Sequence, residues 1–293
     1  MELTAMNRLT AMLLALGLAL SPFAAQAQTA PQRIVSIGGA VTEILYTLGV
    51  EDRIVGVDST SVFPPRALQE KENVGYLRQL SAEGVLALSP DLIIMDEGAG
   101  PPETVALIDA AGVPVRHVPT GHTIPELLEK VSLVSDAAGR AEAGEAMANR
   151  LAQEFAALER DLAAVGEKRR VLFVYSLVDG RPNAAGRDTG AHAIIDLAGA
   201  ENVFAEVSGY KALSLEAAAA LAPETILLID RPGQETIDPL SVPALAATPA
   251  GQSGSVIRMD ASYLLGFGPR TPAAARDLAR QLYPDLDLSG GAL

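Results

Sequence analysis

Leu80-Ser-Ala-Glu-Gly-Val-Leu-Ala-Leu-Ser-Pro-Asp-Leu-Ile-Ile94 returns, 133 residues further along, as Leu213-Ser-Leu-Glu-Ala-Ala-Ala-Ala-Leu-Ala-Pro-Glu-Thr-Ile-Leu227. Each copy reads as a serine N-cap, a helix with an acid at its second position, a proline break and an apolar strand. Two such units this far apart predict two lobes that are structural duplicates. Glu83 and Glu216 hold the same place in the two copies, near the positive end of a helix dipole. Capping and solubility account for each acid alone; as a matched exposed pair they can equally form two feet for a basic partner.

The flanking sequence repeats the theme. A β-branched run over 33–37 predicts a strand, Gly38-Gly39 a tight turn, and 42–48 a helix closed by Gly49. Further apolar runs at 54–57, 92–95 and 113–118 alternate with helices at 82–88 and 105–111. Continuous apolar strands alternating with helices predict a buried, mostly parallel sheet. Between 124 and about 165 the chain is rich in Ala, Glu, Leu and Arg with no proline after Pro125, which predicts one long helix or two joined at Gly139. The run 171–175 then restarts the alternation. The expected organisation is an N-terminal α/β lobe over 28–123, a helical linker over 124–166 and a C-terminal α/β lobe over 167–293.

Composition bounds the chemistry. The 293 residues carry 22 Lys and Arg against 36 Asp and Glu, a formal charge of −14. A chain this acidic, with no long basic run, is a poor ligand for nucleic-acid phosphates or an anionic membrane face. No cysteine is present, which excludes disulfides, thiolate catalysis, Cys-ligated metals and a lipidated cysteine. Residues 1–27 combine Arg8, a ten-residue apolar run and Ala25-Gln-Ala27, the pattern of a cleavable secretory signal. Ten residues are too few to span ~30 Å of hydrocarbon. Cleavage after Ala27 removes Arg8 and Glu2 together and leaves the charge unchanged. There is no Gly-x-Ser-x-Gly elbow, P-loop or Gly-x-Gly-x-x-Gly, so a secreted α/β enzyme is the weaker reading, and adjacent acids such as Asp96-Glu97 read as solvated.

Four segments carry a resemblance: Arg33-Ile-Val-Ser-Ile-Gly-Gly through Gly49, Asn73-Val-Gly-Tyr-Leu-Arg-Gln-Leu80, Ala184-Ala-Gly-Arg-Asp-Thr189 and Leu264-Leu-Gly-Phe-Gly-Pro-Arg-Thr271. Together they resemble the periplasmic haem-binding proteins of bacterial haem ABC importers, in the helical-backbone class (class III periplasmic binding proteins) that also holds vitamin B12- and siderophore-binding proteins. The resemblance implies two α/β lobes with mostly parallel sheets joined by a long backbone helix. It also implies a monomeric periplasmic carrier that takes up haem b as transported ligand and docks on an inner-membrane ABC permease dimer with its ATPase. Gly-Tyr-x-Arg-Gln-Leu is the part that points to haem.

The implied site is Tyr76 as axial ligand of the haem iron. Fe(III) is oxophilic and tyrosinate is one of its recognised ligands, although a free phenol ionises only near ~10 and the iron must favour the anion. If Leu77 is extended, Arg78 projects to the face of Tyr76 and can meet the phenolate or a propionate. Gly75 would leave room for the porphyrin. Arg231, at the carboxyl end of a predicted second-lobe strand, and Arg187 are further propionate candidates, while Arg270 reads as pinning the C-terminal turn. His192, at a helix start, is the candidate for lining the cleft as a second ligand. Tyr175 and Tyr210 could face the cleft. His117 and His122, flanking Pro119, are weak candidates for a paired metal site. The same resemblance gives Glu83 and Glu216 the role of pairing with permease arginines. A corrinoid or ferric siderophore is the alternative cargo, and 4% aromatic content with no tryptophan weighs mildly against a siderophore.

Overall fold

The structure is a computed structural model that describes residues 30–178, 180–231 and 238–288. The predicted signal segment 1–27 lies outside the described residues. Seven strands belong to the first lobe: β1 (Ile34–Ile37), β2 (Ile54–Val57), β3 (Glu72–Asn73), β4 (Gly75–Tyr76), β5 (Gln79–Leu80), β6 (Leu92–Asp96) and β7 (Val115–Val118). The main sheet runs β3-β2-β1-β6-β7 and every pairing in it is parallel. Every residue of β1 and of β6 is buried. That is why their apolar runs are continuous rather than alternating. β4 and β5 form a separate antiparallel hairpin.

The second lobe holds β8 (Arg170–Val178), β9 (Arg181–Ala185), β10 (Glu201–Asn202), β11 (Tyr210–Ala212), β12 (Thr225–Asp230) and β13 (Val256–Asp260), in the order β11-β9-β8-β12-β13 with β10 also on β8. β8, β12, β13 and β10 pair in parallel, whereas β9 folds back on β8 and β11 on β9 antiparallel. This half-antiparallel sheet is the departure from the uniform parallel pattern. β8 and β9 are separated only by residues 179 and 180, too short for a crossover, so the chain makes a hairpin.

The duplicated segment behaves as its sequence reads. Ser81 Oγ accepts from Gly84 N to start the helix Ala82–Ala87, and Ser214 Oγ accepts from Ala217 N to start Leu215–Ala220. Each helix then delivers an interior strand next to the sheet's edge, β6 in one lobe and β12 in the other.

The linker is two helices, Ile124–Ala137 and Ala141–Leu162. Thr123 and Glu126 close a capping box on the first, and Gly139, at φ 68°, makes the left-handed turn between them. The helices pack closely here, since a methyl at Gly144 would run into the Ser135 side chain. The second helix, of 22 residues, is the spine. Met147, Leu151 and Phe155 belong to the first-lobe core with Ile34, Ile44 and Val131, while Leu158 belongs to the second-lobe core with Phe173, Ile195 and Leu278. One amphipathic face therefore anchors both lobes.

Candidate functional site

A cavity of about 430 Å³ lies between the lobes, at the carboxyl ends of the strands, a size typical of small-molecule sites. In the first lobe the chain leaves β1 toward β2 on one side, while β6 lies on its other side. The crevice at that switch point is where open α/β sheets bind ligands, and Gly38, Gly39 and Asp96 line it. Gly38 has φ 118°, and a side chain at Gly39 would strike the Thr60 carbonyl, so the two glycines are required by backbone geometry.

Buried Asp58 organises this wall. Its Oδ1 accepts from Gly38 N (2.8 Å) and Ser61 Oγ (3.1 Å), and its Oδ2 from Thr60 N (2.9 Å) and Thr60 Oγ1 (2.7 Å). A hydroxyl chain, Ser36 to Thr42 to Ser61, runs behind it with 2.7 Å links.

Four cationic side chains line the cavity, Arg78, Lys130, Arg231 and Arg270, against three carboxylates, Glu43, Asp96 and Asp260. In a chain with a net charge of −14 this cleft is locally cationic. Arg270 does not merely pin the C-terminal turn, because its N and Nε donate to Glu43 Oε1 (3.0 Å) and Oε2 (2.9 Å) in the other lobe. Its guanidinium also stacks 3.5 Å from the Phe63 ring centroid. Burial raises the Glu43 carboxyl above its ordinary pKa, with Arg270 opposing. His122 packs edge-on against Phe267 with ring centroids 4.7 Å apart, a second contact between lobes. Burial, then the Lys130 charge, hold the His122 pKa down, which keeps the ring neutral near pH 7.

Tyr76 is 44% exposed on β4, paired with Gln79 of β5. Leu77 and Arg78 form the turn of this hairpin, so Leu77 is not an extended spacer that puts Tyr76 and Arg78 on one face. Instead the turn carries Leu77 and Arg78 into the cavity lining, while Tyr76, beside them on the strand, is not itself among the lining residues. Gly75 has φ 100° and only the Gln79 carbonyl, at 3.7 Å, near where a side chain would stand, so its local space is open. Opposite, Arg231 lies 4.1 Å over the Tyr175 ring, and Tyr175 meets Tyr210 at 5.1 Å. Burial pushes the Tyr210 phenol up and neighbouring Tyr175 adds to it, while Arg231 of its own lobe and Arg78 of the other both pull it down. Arg78 of one lobe and Arg231 of the other thus line the same cavity.

The other sequence candidates lie elsewhere. His192 sits on the helix Gly190–Leu197 with Nε2 3.3 Å from Asp196 and Nδ1 3.5 Å from Asn202 Nδ2, and is not among the cavity-lining residues. Arg187 donates to the Glu206 carbonyl within its own lobe. His117 bonds Asp109 at 2.9 Å, while His122 faces Phe267, so the two histidines are not paired. Glu83 and Glu216 are exposed, one on each lobe. Sequence reasoning missed Lys130, Glu43, Asp58 and the two phenylalanines. A signal for Lys130 existed: it stands on the stripe Leu127, Lys130, Val131, Val134, where a core helix carries apolar residues.

Two α/β lobes on a helical spine, with a cleft between the carboxyl ends of their strands, define a substrate-binding protein of the ABC-importer type. The chain belongs to the periplasmic binding protein family, whose sequence profile matches residues 34–263. Among solved structures it is similar to the periplasmic heme-binding protein RhuT from Roseiflexus sp. RS-1, at 39% identity and TM-score 0.81 over 86% of this chain and 98% of that one. The periplasmic heme-binding protein HutB of Vibrio cholerae follows at 31% identity and TM-score 0.78, over 86% and 99%. A vitamin B12-binding protein of Vibrio parahaemolyticus is 27% identical over 198 residues, 67% of this chain and 70% of that protein. Among the described residues no helix is long and apolar enough to cross a membrane.

Proposed function

We propose that this protein captures haem b in the interlobe cleft, with Tyr76 as axial ligand, and delivers it to an inner-membrane ABC permease dimer driven by its ATPase. The observation that carries this reading is the position of Tyr76. An accessible phenol stands two residues from Arg78, which lines a cavity with more cations than carboxylates. Ferric iron takes a phenolate readily and the propionates need cations. Similarity at 39% and 31% to proteins named as heme-binding supports the same cargo.

Arg78 and Arg231 are assigned to the propionates or the phenolate. His192, tied to Asp196 away from the cavity, leaves Tyr76 as the iron's single protein ligand in this reading. Glu83 and Glu216 are the docking feet, exposed at the starts of equivalent helices. Release follows when the transporter forces the lobes apart. The chain is read as a carrier rather than an enzyme, exported by a signal cleaved after Ala27 and acting as a monomer.

An absorption titration with hemin, repeated on Tyr76→Ala, tests the reading. Saturable Soret changes with a high-spin, tyrosinate-type charge-transfer band in the wild type, abolished in the variant, are expected. No saturable change in the wild type overturns the haem reading. Cobalamin then becomes the cargo to titrate, a second reading favoured by the vitamin B12-binding relative.

A further inference from the structure

We infer that Lys130, on the floor of the cleft, reads a carboxylate of the cargo and so selects a carboxylated tetrapyrrole over an amidated one; the inference rests on the haem reading above. Lys130 is only 2% exposed, yet it lines the cavity. It interrupts the apolar stripe of the helix Ile124–Ala137, where methionine or leucine would complete the core. Burial pulls its pKa down, with Asp96 and Glu126 opposing.

A buried ammonium has three donors to satisfy. The carboxylate nearest to it, Asp96 Oδ2, stands 3.8 Å away, beyond hydrogen-bond reach. Asp96 Oδ1 accepts from Thr120 Oγ1 (2.7 Å) and Gly98 N (2.8 Å), while its Oδ2 faces the ammonium in an ion pair without a hydrogen bond. Glu126 is held by the capping box, its Oε2 accepting from Thr123 N at 3.0 Å. The other two lining carboxylates are engaged as well, Glu43 by Arg270 and Asp260 by Tyr263 N and Ser262 Oγ. His122 is neutral and neighbouring. The lining therefore supplies no carboxylate in hydrogen-bond contact with the ammonium, on the side from which a ligand would arrive.

Haem brings two carboxylates on flexible propionate arms. The corrin ring of cobalamin carries its arms as amides, which cannot neutralise a desolvated cation. A buried cation that a propionate arm can hydrogen-bond as an anion, and a corrin amide cannot, discriminates between the two ring peripheries more strongly than a surface lysine would.

Hemin and hemin dimethyl ester, titrated into the wild type, Lys130→Met and Lys130→Arg, test the inference. The wild type is expected to prefer hemin over the diester by roughly 10- to 100-fold, the scale of a charge-assisted contact. Lys130→Met should reduce that preference by about tenfold through weaker hemin binding with its diester affinity intact, the remainder being carried by Arg78 and Arg231, and Lys130→Arg should keep it. Lys130→Gln serves if circular dichroism finds the methionine variant unfolded. Equal wild-type affinity for the two porphyrins, or a neutral variant that prefers hemin as strongly as the wild type does, overturns the role of Lys130 and leaves the haem reading standing. Absence of binding by either porphyrin overturns both.

Discussion

Arg270 and Glu43 lie 227 residues apart in the chain, yet Arg270 Nε and Nη2 both reach Glu43 Oε2 at 2.9 Å and join the two lobes at the edge of the cleft. The pair is unequal. Glu43 is 8% exposed at its side chain and Arg270 is 26% exposed, so the acid has lost more water than the base and depends more on its partner.

That inequality sets a pH dependence. Glu43 has a raised carboxyl pKa in the folded protein, so the folded state is the better proton binder there, and ionising Glu43 costs stability as pH rises above its ordinary value near 4.5. Arg270→Met removes the opposing charge and raises that pKa further. The variant should be less stable than the wild type by about 2–3 kcal/mol at pH 8, with the deficit shrinking toward pH 4.5, where the raised folded-state pKa leaves the carboxyl mostly protonated in both proteins. Urea denaturation at the two pH values measures this, and a deficit independent of pH would rule out ionised Glu43 as its source.

Lys130 ties stability and binding together. Its ammonium forms a buried ion pair with Asp96 at 3.8 Å, and removing one partner of such a pair leaves the other buried and uncompensated. Lys130→Met should therefore lower the unfolding free energy by about 2–3 kcal/mol, while hemin affinity falls. An unchanged unfolding free energy would mean that the pair with Asp96 contributes nothing to the fold.

Gly144 opposes its own helix propensity. Alanine is the better helix former by about 1 kcal/mol, but a methyl here meets the Ser135 side chain on the facing helix. Gly144→Ala should therefore destabilise by roughly 1–3 kcal/mol. Thermal or denaturant unfolding reads the sign directly, and a stabilised variant would show that the helix pair opens at little cost.

Glu83 and Glu216 are exposed and lie outside the cavity lining. Charge reversal at either should leave hemin affinity within twofold, as expected of a surface change, and fold stability within about 0.5 kcal/mol. Transport should fall for each single reversal and further for the double. Hemin-dependent stimulation of the reconstituted transporter's ATPase is the measurement, and full stimulation by the double variant would remove the docking role.

Much of the scaffold was legible because its causes are local. Apolar runs become buried strands, Ser81 and Ser214 cap the helices that follow them, and the repeated segment builds an interior strand in each lobe. Arg231 was legible for a related reason: a residue just past a strand's carboxyl end lies where such folds bind ligands. The hairpin was not legible locally: an extended Leu77 was the condition for Tyr76 and Arg78 sharing a face, and Tyr76 instead pairs with Gln79 across a two-residue turn.

The amino-acid order by itself determined the α/β class, the duplication and the spine, since periodicity and capping act over a few residues. Only the tertiary structure decided which charges share the cleft. Arg270 meets Glu43, Lys130 pairs with Asp96 at 3.8 Å, and Arg78 and Arg231 line one cavity, all through distances and desolvation that arise when distant strand ends converge. Electrostatic energy depends on spatial separation and access to water, and neither can be read from separation along the chain.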